Sequence, residues 1–161
     1  MAIRRIFTDN APCLYKVCRP VEKFDKRLSE LIDDMAETMY DAEGVGLAAP
    51  QIGILRRVAV IDCGDGLIEL INPKIIETSG EEGDLEGCLS FPERTGYVVR
   101  PSVVKLQAYD RNGDLFEYTG EGLVARAMLH ECDHLDGHVY LEKVTEPPEG
   151  FEDAMDDEDD I

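Results

Sequence analysis

The chain has 161 residues, a mass of 18.0 kDa and a formal net charge of −19. This length suits one domain that buries a sizeable core without a disulfide framework. The negative charge excludes nonspecific binding to a nucleic-acid backbone as the main activity, and it argues against self-association, so we expect a monomer. Five scattered cysteines and the lack of a long apolar run predict a cytoplasmic protein with no membrane span.

The first predicted element is an amphipathic helix. Five apolar residues recur at helical spacing between positions 28 and 39. Gly44 is the expected stop, because glycine tolerates the left-handed conformation found at helix ends. The segment 44–53, which is rich in small residues, predicts a loop that runs into a strand.

Short apolar runs then predict a series of strands, at 58–63, 67–71, 74–78, 97–100, 103–109 and 115–118. The last two flank Asn112-Gly113, a strong hairpin signal. A second helix is expected over 121–135, with Gly137 as its stop. This order predicts an α+β fold in which several short antiparallel strands pack around a central helix, with a further helix near the N-terminus.

The second predicted helix carries a candidate metal site. His130 and His134 are four residues apart, so their rings project from one face and can reach one ion. Glu131 lies beside them, close enough to accept a proton from metal-bound water. The alternative is a helix whose two histidines are exposed or satisfied in the core.

A catalytic site of this type has a third protein ligand and an open position for water. A metalloprotease pattern would place a third histidine where Tyr140 stands, and the downstream glutamates have no convincing helix to hold them. Upstream, Cys88 lies in a turn-like segment from which a thiolate can reach a metal. Cys132 points away from the metal face, and the other cysteines fit small buried hydrophobes. By elimination, Cys88 is the best third ligand.

Three segments of the chain resemble the signature segments of bacterial peptide deformylases: GVGLAAPQ at 44–51, EGCLS at 86–90 and HECDH at 130–134. The resemblance covers roughly nine-tenths of the chain. It implies a hydrolase that removes the formyl group from the N-terminal formyl-methionine of nascent proteins, which would be its partners. We place the catalytic domain at 1–145 and an acidic, mobile tail at 146–161.

The resemblance also implies a metal cofactor. Cys88, His130 and His134 would bind one divalent ion, with water as the fourth ligand. Ferrous iron is the physiological ion that the resemblance implies, with nickel, cobalt or zinc able to replace it. The ligand types alone would have favoured zinc.

The expected reaction is attack of metal-bound hydroxide on the formyl carbon, with Glu131 as general base and then general acid. By resemblance, the side-chain amide of Gln51 and the backbone N–H of Leu89 would stabilise the oxyanion.

The methionine side chain of the substrate needs a pocket, and three residues are expected to form it: Val45, Leu123 and Ala127. At Gly46 the resemblance favours close approach to the substrate backbone. Arg126 is expected to line the wall with its stem while its guanidinium reaches solvent at the rim; the alternative is an exposed surface arginine. Glu86 and Arg100 are expected to form an ion pair.

Two features depart from the family pattern. Leu129 stands where glutamine is common, and segment 146–161 has nine acidic residues and no Lys or Arg. Such a segment would be repelled by RNA, so we expect transient ribosome proximity without C-terminal docking.

Two alternatives stay open: a metal-dependent endopeptidase, and a noncatalytic metal-binding or peptide-binding module. Glu131 and Gln51 count against the module, because binding alone needs neither.

Overall fold

The computed structural model describes residues 2–151 as two α-helices and seven strands, with three short 3₁₀ helices. The helices are α1 (Lys26–Asp41) and α2 (Leu123–Leu135). The strands are β1 (Gly46–Ala48), β2 (Val58–Ile61), β3 (Ile68–Ser79), β4 (Glu82–Cys88), β5 (Phe91–Arg100), β6 (Val103–Tyr109) and β7 (Leu115–Glu121). Within this range neither helix is long and apolar enough to cross a membrane. The part of the predicted acidic tail from 152 onward lies outside the described residues.

The strands form two antiparallel sheets. The larger has the order β1-β2-β3-β6-β7, and β4 pairs with β5 in a separate hairpin. Alternate residues of β2 face opposite sides, as strand geometry requires. Val58 and Val60 pack with α1, whereas Ala59 and Ile61 pack with α2. The large sheet therefore lies between the two helices, and the α+β prediction is confirmed.

The third strand is longer than the sequence pattern suggested. Two separate strands were expected at 67–71 and 74–78, but β3 runs through both with a register shift between Ile71 and Lys74. Asn72 adopts the left-handed conformation there (φ 52°), which asparagine tolerates better than most residues. Its side chain also exchanges two hydrogen bonds with the backbone of Val21, at 2.8 and 2.9 Å. The local bulge lets the strand continue.

The hairpin predicted at Asn112-Gly113 is present, with β6 and β7 paired from Tyr109 and Leu115 outward. Strand β7 extends to Glu121, so α2 begins at Leu123 and not at 121 as expected. Gly122 occupies the junction at φ 57°, a conformation that turns the chain sharply from strand to helix.

The end of α1 differs from the prediction. The helix stops at Asp41, and the left-handed residue is Glu43 (φ 60°) instead of Gly44. The N–H groups of Glu43 and Gly44 donate to the carbonyls of Tyr40 and Met39, at 3.1 and 3.0 Å, which forms a Schellman motif. Gly44 instead lies close to Leu89, where a Cβ would come within 2.6 Å of Leu89 Cδ1 and the leucine would have to shift.

The end of α2 follows the prediction. Gly137 has φ 81°, and its N–H donates to the carbonyl of His134 at 3.1 Å. A Cβ at this position would also lie 3.0 Å from backbone atoms of Tyr15 and Lys16. Position 137 thus requires glycine both for its backbone conformation and for the close passage of another chain segment.

We expect Gly137→Ala to lower the free energy of unfolding by about 1–3 kcal/mol, because alanine would be strained at positive φ and would press on rigid backbone. Gly113→Ala is the matched control, since its φ is 84° and its nearest neighbour is the Phe24 side chain at 3.4 Å. Urea unfolding should show a larger loss at position 137. Equal losses would show that backbone conformation alone decides the effect.

Candidate active site

Three candidate metal ligands come together in the structure. Cys88, His130 and His134 form a cluster whose ligand atoms all lie within 4.8 Å of one another. His134 Nε2 is 3.1 Å from His130 Nε2 and 3.3 Å from Cys88 Sγ. A shared ion about 2 Å from each donor requires separations of this kind. The residues therefore fit a metal with one thiolate and two imidazole ligands.

Local geometry explains the convergence of the three donors. The histidines lie one turn apart on α2, as their spacing predicted. Cys88 ends β4, where a register shift after Gly87 pairs it with Phe91 and the chain turns back into β5. The two-stranded hairpin thus brings the thiol to the helix.

A buried carboxylate orients one of the imidazoles. Glu86 Oε2 lies 2.7 Å from His130 Nδ1, and this contact leaves Nε2 as the ligand atom. Arg100 donates to both oxygens of Glu86, at 2.8 and 2.6 Å, so the structure contains the expected ion pair. Burial alone would raise the pKa of Glu86, but hydrogen bonds from Arg100 and His130 hold that pKa well below its usual range.

The position of the Arg126 guanidinium corrects the prediction. The side chain does not reach solvent, because the residue is only 5% exposed. Its Nη1 donates to the Val98 carbonyl at 2.9 Å and contacts Glu86 Oε1 at 3.1 Å, and its Nη2 donates to the Glu82 carbonyl at 2.8 Å. These acceptors satisfy a buried charge that would otherwise have to remain in water. The sequence carried no signal for these acceptors, because they lie on strands β4 and β5, far from Arg126 along the chain.

Glu131 is the least satisfied polar group of the site. It is 3% exposed, and its Oε1 has no hydrogen-bond partner among the described residues. Burial raises the pKa of this carboxyl to about 7. Its Oε2 lies against Gly46, where a Cβ would overlap it. A carboxyl held in this way is suited to exchange protons with a bound reactant.

Gln51 is buried beside the cluster, on the 3₁₀ helix Ala49–Ile52 that follows β1. Its Oε1 accepts a hydrogen bond from the backbone N–H of Ala48 at 2.9 Å. Its Nε2 donates to Ser90 Oγ at 3.0 Å and lies 3.5 Å from Cys88 Sγ. The amide oxygen is thus turned to the backbone and the amide N–H groups face the cluster.

A pocket of about 460 Å³ opens next to these groups, a size typical of small-ligand sites. All five residues predicted to bind the substrate line it: Val45, Gly46, Leu123, Arg126 and Ala127. The same pocket is also lined by Leu89, His130 and Glu131, so it extends to the candidate catalytic residues. Leu85, Phe91 and residues 92–95 also line it. Sequence reasoning missed them, since only the hairpin brings them here.

A sequence profile of the family described as polypeptide deformylase matches residues 3–149. The chain belongs to the peptide deformylase family. It is 56% identical over 146 residues to peptide deformylase 1 of Clostridium acetobutylicum, covering 91% of this chain and 97% of that protein. It is 54% identical over 144 residues to the peptide deformylase of Alkaliphilus metalliredigens, with 89% and 98% covered. The crystal structure of the Thermotoga maritima peptide deformylase superposes on this chain with a TM-score of 0.89 at 41% identity. The superposition covers 91% of this chain and 100% of that one.

Membership confirms the activity expected from the resemblance. The chain is a metal-dependent hydrolase that removes the formyl group from the N-terminal formyl-methionine of nascent proteins. The endopeptidase and the noncatalytic module are set aside, because relatives sharing about half of the residues are peptide deformylases.

We expect Gly46→Ala to lower deformylase activity at least tenfold while leaving the fold intact, because the new methyl group would displace the Glu131 carboxylate. Gly87→Ala is the comparison, since a Cβ there would meet Thr95 Cγ2 at an ordinary 3.6 Å. Initial rates and circular dichroism of both variants test this. Equal activity in the two variants would contradict it.

Proposed function

We propose that Cys88, His130 and His134 hold the metal of this deformylase, and that the ion in the cell is ferrous iron, with nickel, cobalt or zinc able to replace it. The observation that carries this is the convergence of one thiol and two imidazoles beside the unpartnered carboxyl of Glu131. Thiolate and imidazole ligands favour transition metals over magnesium or calcium. The choice of iron rests on the family resemblance. When bound, the ion supplies Lewis-acid activation of a water molecule.

The base of the reaction is Glu131 in this proposal. Its free Oε1 accepts a proton from the attacking water and then returns that proton to the departing amine nitrogen. Two features support the assignment: the carboxyl follows His130 directly on α2, and it lines the substrate pocket.

The oxyanion that develops on the formyl oxygen needs donors fixed in advance. We assign Gln51 Nε2 and the backbone N–H of Leu89 to this task. The hydrogen bond from the Ala48 N–H to Gln51 Oε1 fixes which way the amide faces. One preorganised donor of this type contributes about 2.7–4 kcal/mol to stabilising the transition state.

The substrate's methionine side chain would occupy the 460 Å³ pocket. Val45 and Leu123 are 44% and 53% exposed, which places them at its mouth, whereas Ala127 is buried. Gly46 leaves room for the substrate backbone, and the Arg126 stem forms part of the wall.

We place the enzyme in the cytoplasm, where it acts as a monomer on nascent chains. All five cysteines are unpaired, which suits a reducing compartment. The catalytic unit is assigned to 1–145, with 146–161 as an acidic extension whose nine carboxylates oppose docking on ribosomal RNA.

The deciding experiment is formate release from a short formyl-Met peptide. The full chain would be reconstituted anaerobically with ferrous iron or nickel, because a thiolate-ligated ferrous site is oxygen-sensitive. We expect turnover by the parent, loss of turnover in Cys88→Ala and Glu131→Gln, and a loss of about 10²–10³ in kcat for Gln51→Leu.

Metal content separates the roles of these residues. Glu131→Gln and Gln51→Leu should bind the ion as the parent does, whereas Cys88→Ala should bind it weakly. Full turnover by Glu131→Gln would refute the assigned base, and full metal loading of Cys88→Ala would refute the ligand set.

The tail proposal has its own test. The purified enzyme should fail to cosediment with ribosomes through its C-terminus at any salt concentration, because phosphate and carboxylate repel each other. Cosedimentation that disappears when 146–161 is removed would overturn this proposal.

A further inference from the structure

We propose that Arg126 is a positioning residue, which holds the hairpin carrying Cys88 against the helix carrying the two histidines. This inference rests on the proposed metal ligands. The residue does not touch the reacting atoms in this account. It acts through the strands and the carboxylate that it binds.

The hairpin needs such a link because of the sheet topology. Among the described strands, β4 and β5 pair with each other and with no strand of the five-stranded sheet, so the hydrogen-bond register of that sheet does not place them. The position of Cys88 relative to α2 therefore depends on packing and on side chains that bridge the two elements.

Arg126 bridges α2 to both strands of the hairpin. Its Nη2 donates to the Glu82 carbonyl on β4, and its Nη1 donates to the Val98 carbonyl on β5. A single guanidinium with a rigid fork thus bonds carbonyls on two neighbouring strands, which lysine cannot reproduce. Arg100, from β5, adds a second link by donating to Asp133 on α2 at 3.0 Å.

Arg126 also acts on the carboxylate that orients His130. The two residues lie one turn apart on α2 and contact opposite oxygens of Glu86, Arg126 at Oε1 (3.1 Å) and His130 at Oε2 (2.7 Å). Without Arg126, the carboxylate would keep only Arg100 and the histidine, and the carbonyls of Glu82 and Val98 would lose this donor. The carboxylate and the imidazole would then be held less firmly in their present orientation.

The same contacts argue against a role in recognising substrate charge. The stem of Arg126 lines the pocket, but both terminal nitrogens are engaged on the hairpin and the residue is almost fully buried. Both terminal nitrogens of the guanidinium therefore donate to protein acceptors and are not available to a ligand.

Cobalt binding by the apo form of the full chain tests the proposal. Arg126→Met keeps a long apolar stem and removes the guanidinium. We expect it to bind Co²⁺ about 10- to 100-fold more weakly than the parent, as variants of outer-shell partners do, with an altered cobalt–thiolate absorption band. Arg126→Lys should recover part of the affinity, since one donor can still reach one carbonyl.

Arg111→Met is the matched control. It removes another well-paired arginine, which bonds Glu69 at 2.6 Å and Asp33 at 3.0 Å outside the metal cluster and the pocket lining. This variant should unfold at lower temperature yet bind Co²⁺ with the parent's affinity and spectrum.

The outcomes discriminate cleanly. Parent-like cobalt affinity and spectrum in Arg126→Met would overturn the proposal, whatever the loss in thermal stability. If that variant does not fold, the lysine variant decides in the same way. A parent that binds no cobalt would instead refute the metal ligands themselves, and with them this inference.

Discussion

The buried carboxylate of Glu86 is the interaction on which the site depends. It is 6% exposed and meets two arginines and one imidazole. An ionised carboxylate is tolerated at such depth only when charges and donors surround it, and removing one partner of a buried pair typically costs about 3–5 kcal/mol. Here the partners come from β5 and α2, so the contacts that stabilise the charge also join the hairpin to the catalytic helix. The same contacts of Glu86 thus stabilise the packing of the hairpin on α2 and orient the His130 imidazole.

Parts of this arrangement could be predicted because they are local in sequence. The four-residue spacing of His130 and His134 places both rings on one helix face in any helical context. Likewise, Gly137 ends α2 through bonds to residues only a few positions away. Cys88 required elimination and the family resemblance, because its approach to the helix depends on a hairpin that joins distant positions.

The predictions that were wrong concern long-range partners. The guanidinium of Arg126 was expected at the solvent, since nothing near it in sequence can satisfy a buried charge; its acceptors lie 28 to 44 residues away. At the end of α1, glycine was assigned the left-handed position by propensity, yet Glu43 takes it. Gly44 lies against the Leu89 side chain, which would have to shift if position 44 carried a Cβ.

The two glutamates of the site show how one fold treats the same group in opposite ways. Glu86 is saturated by donors, which holds its pKa far below the usual range, whereas burial without a partner on Oε1 raises the pKa of Glu131 to about 7. Divergent environments of this kind separate a permanently charged structural carboxylate from one that can exchange a proton near neutral pH. The contrast supports the proposed role of Glu131, and not Glu86, as the base.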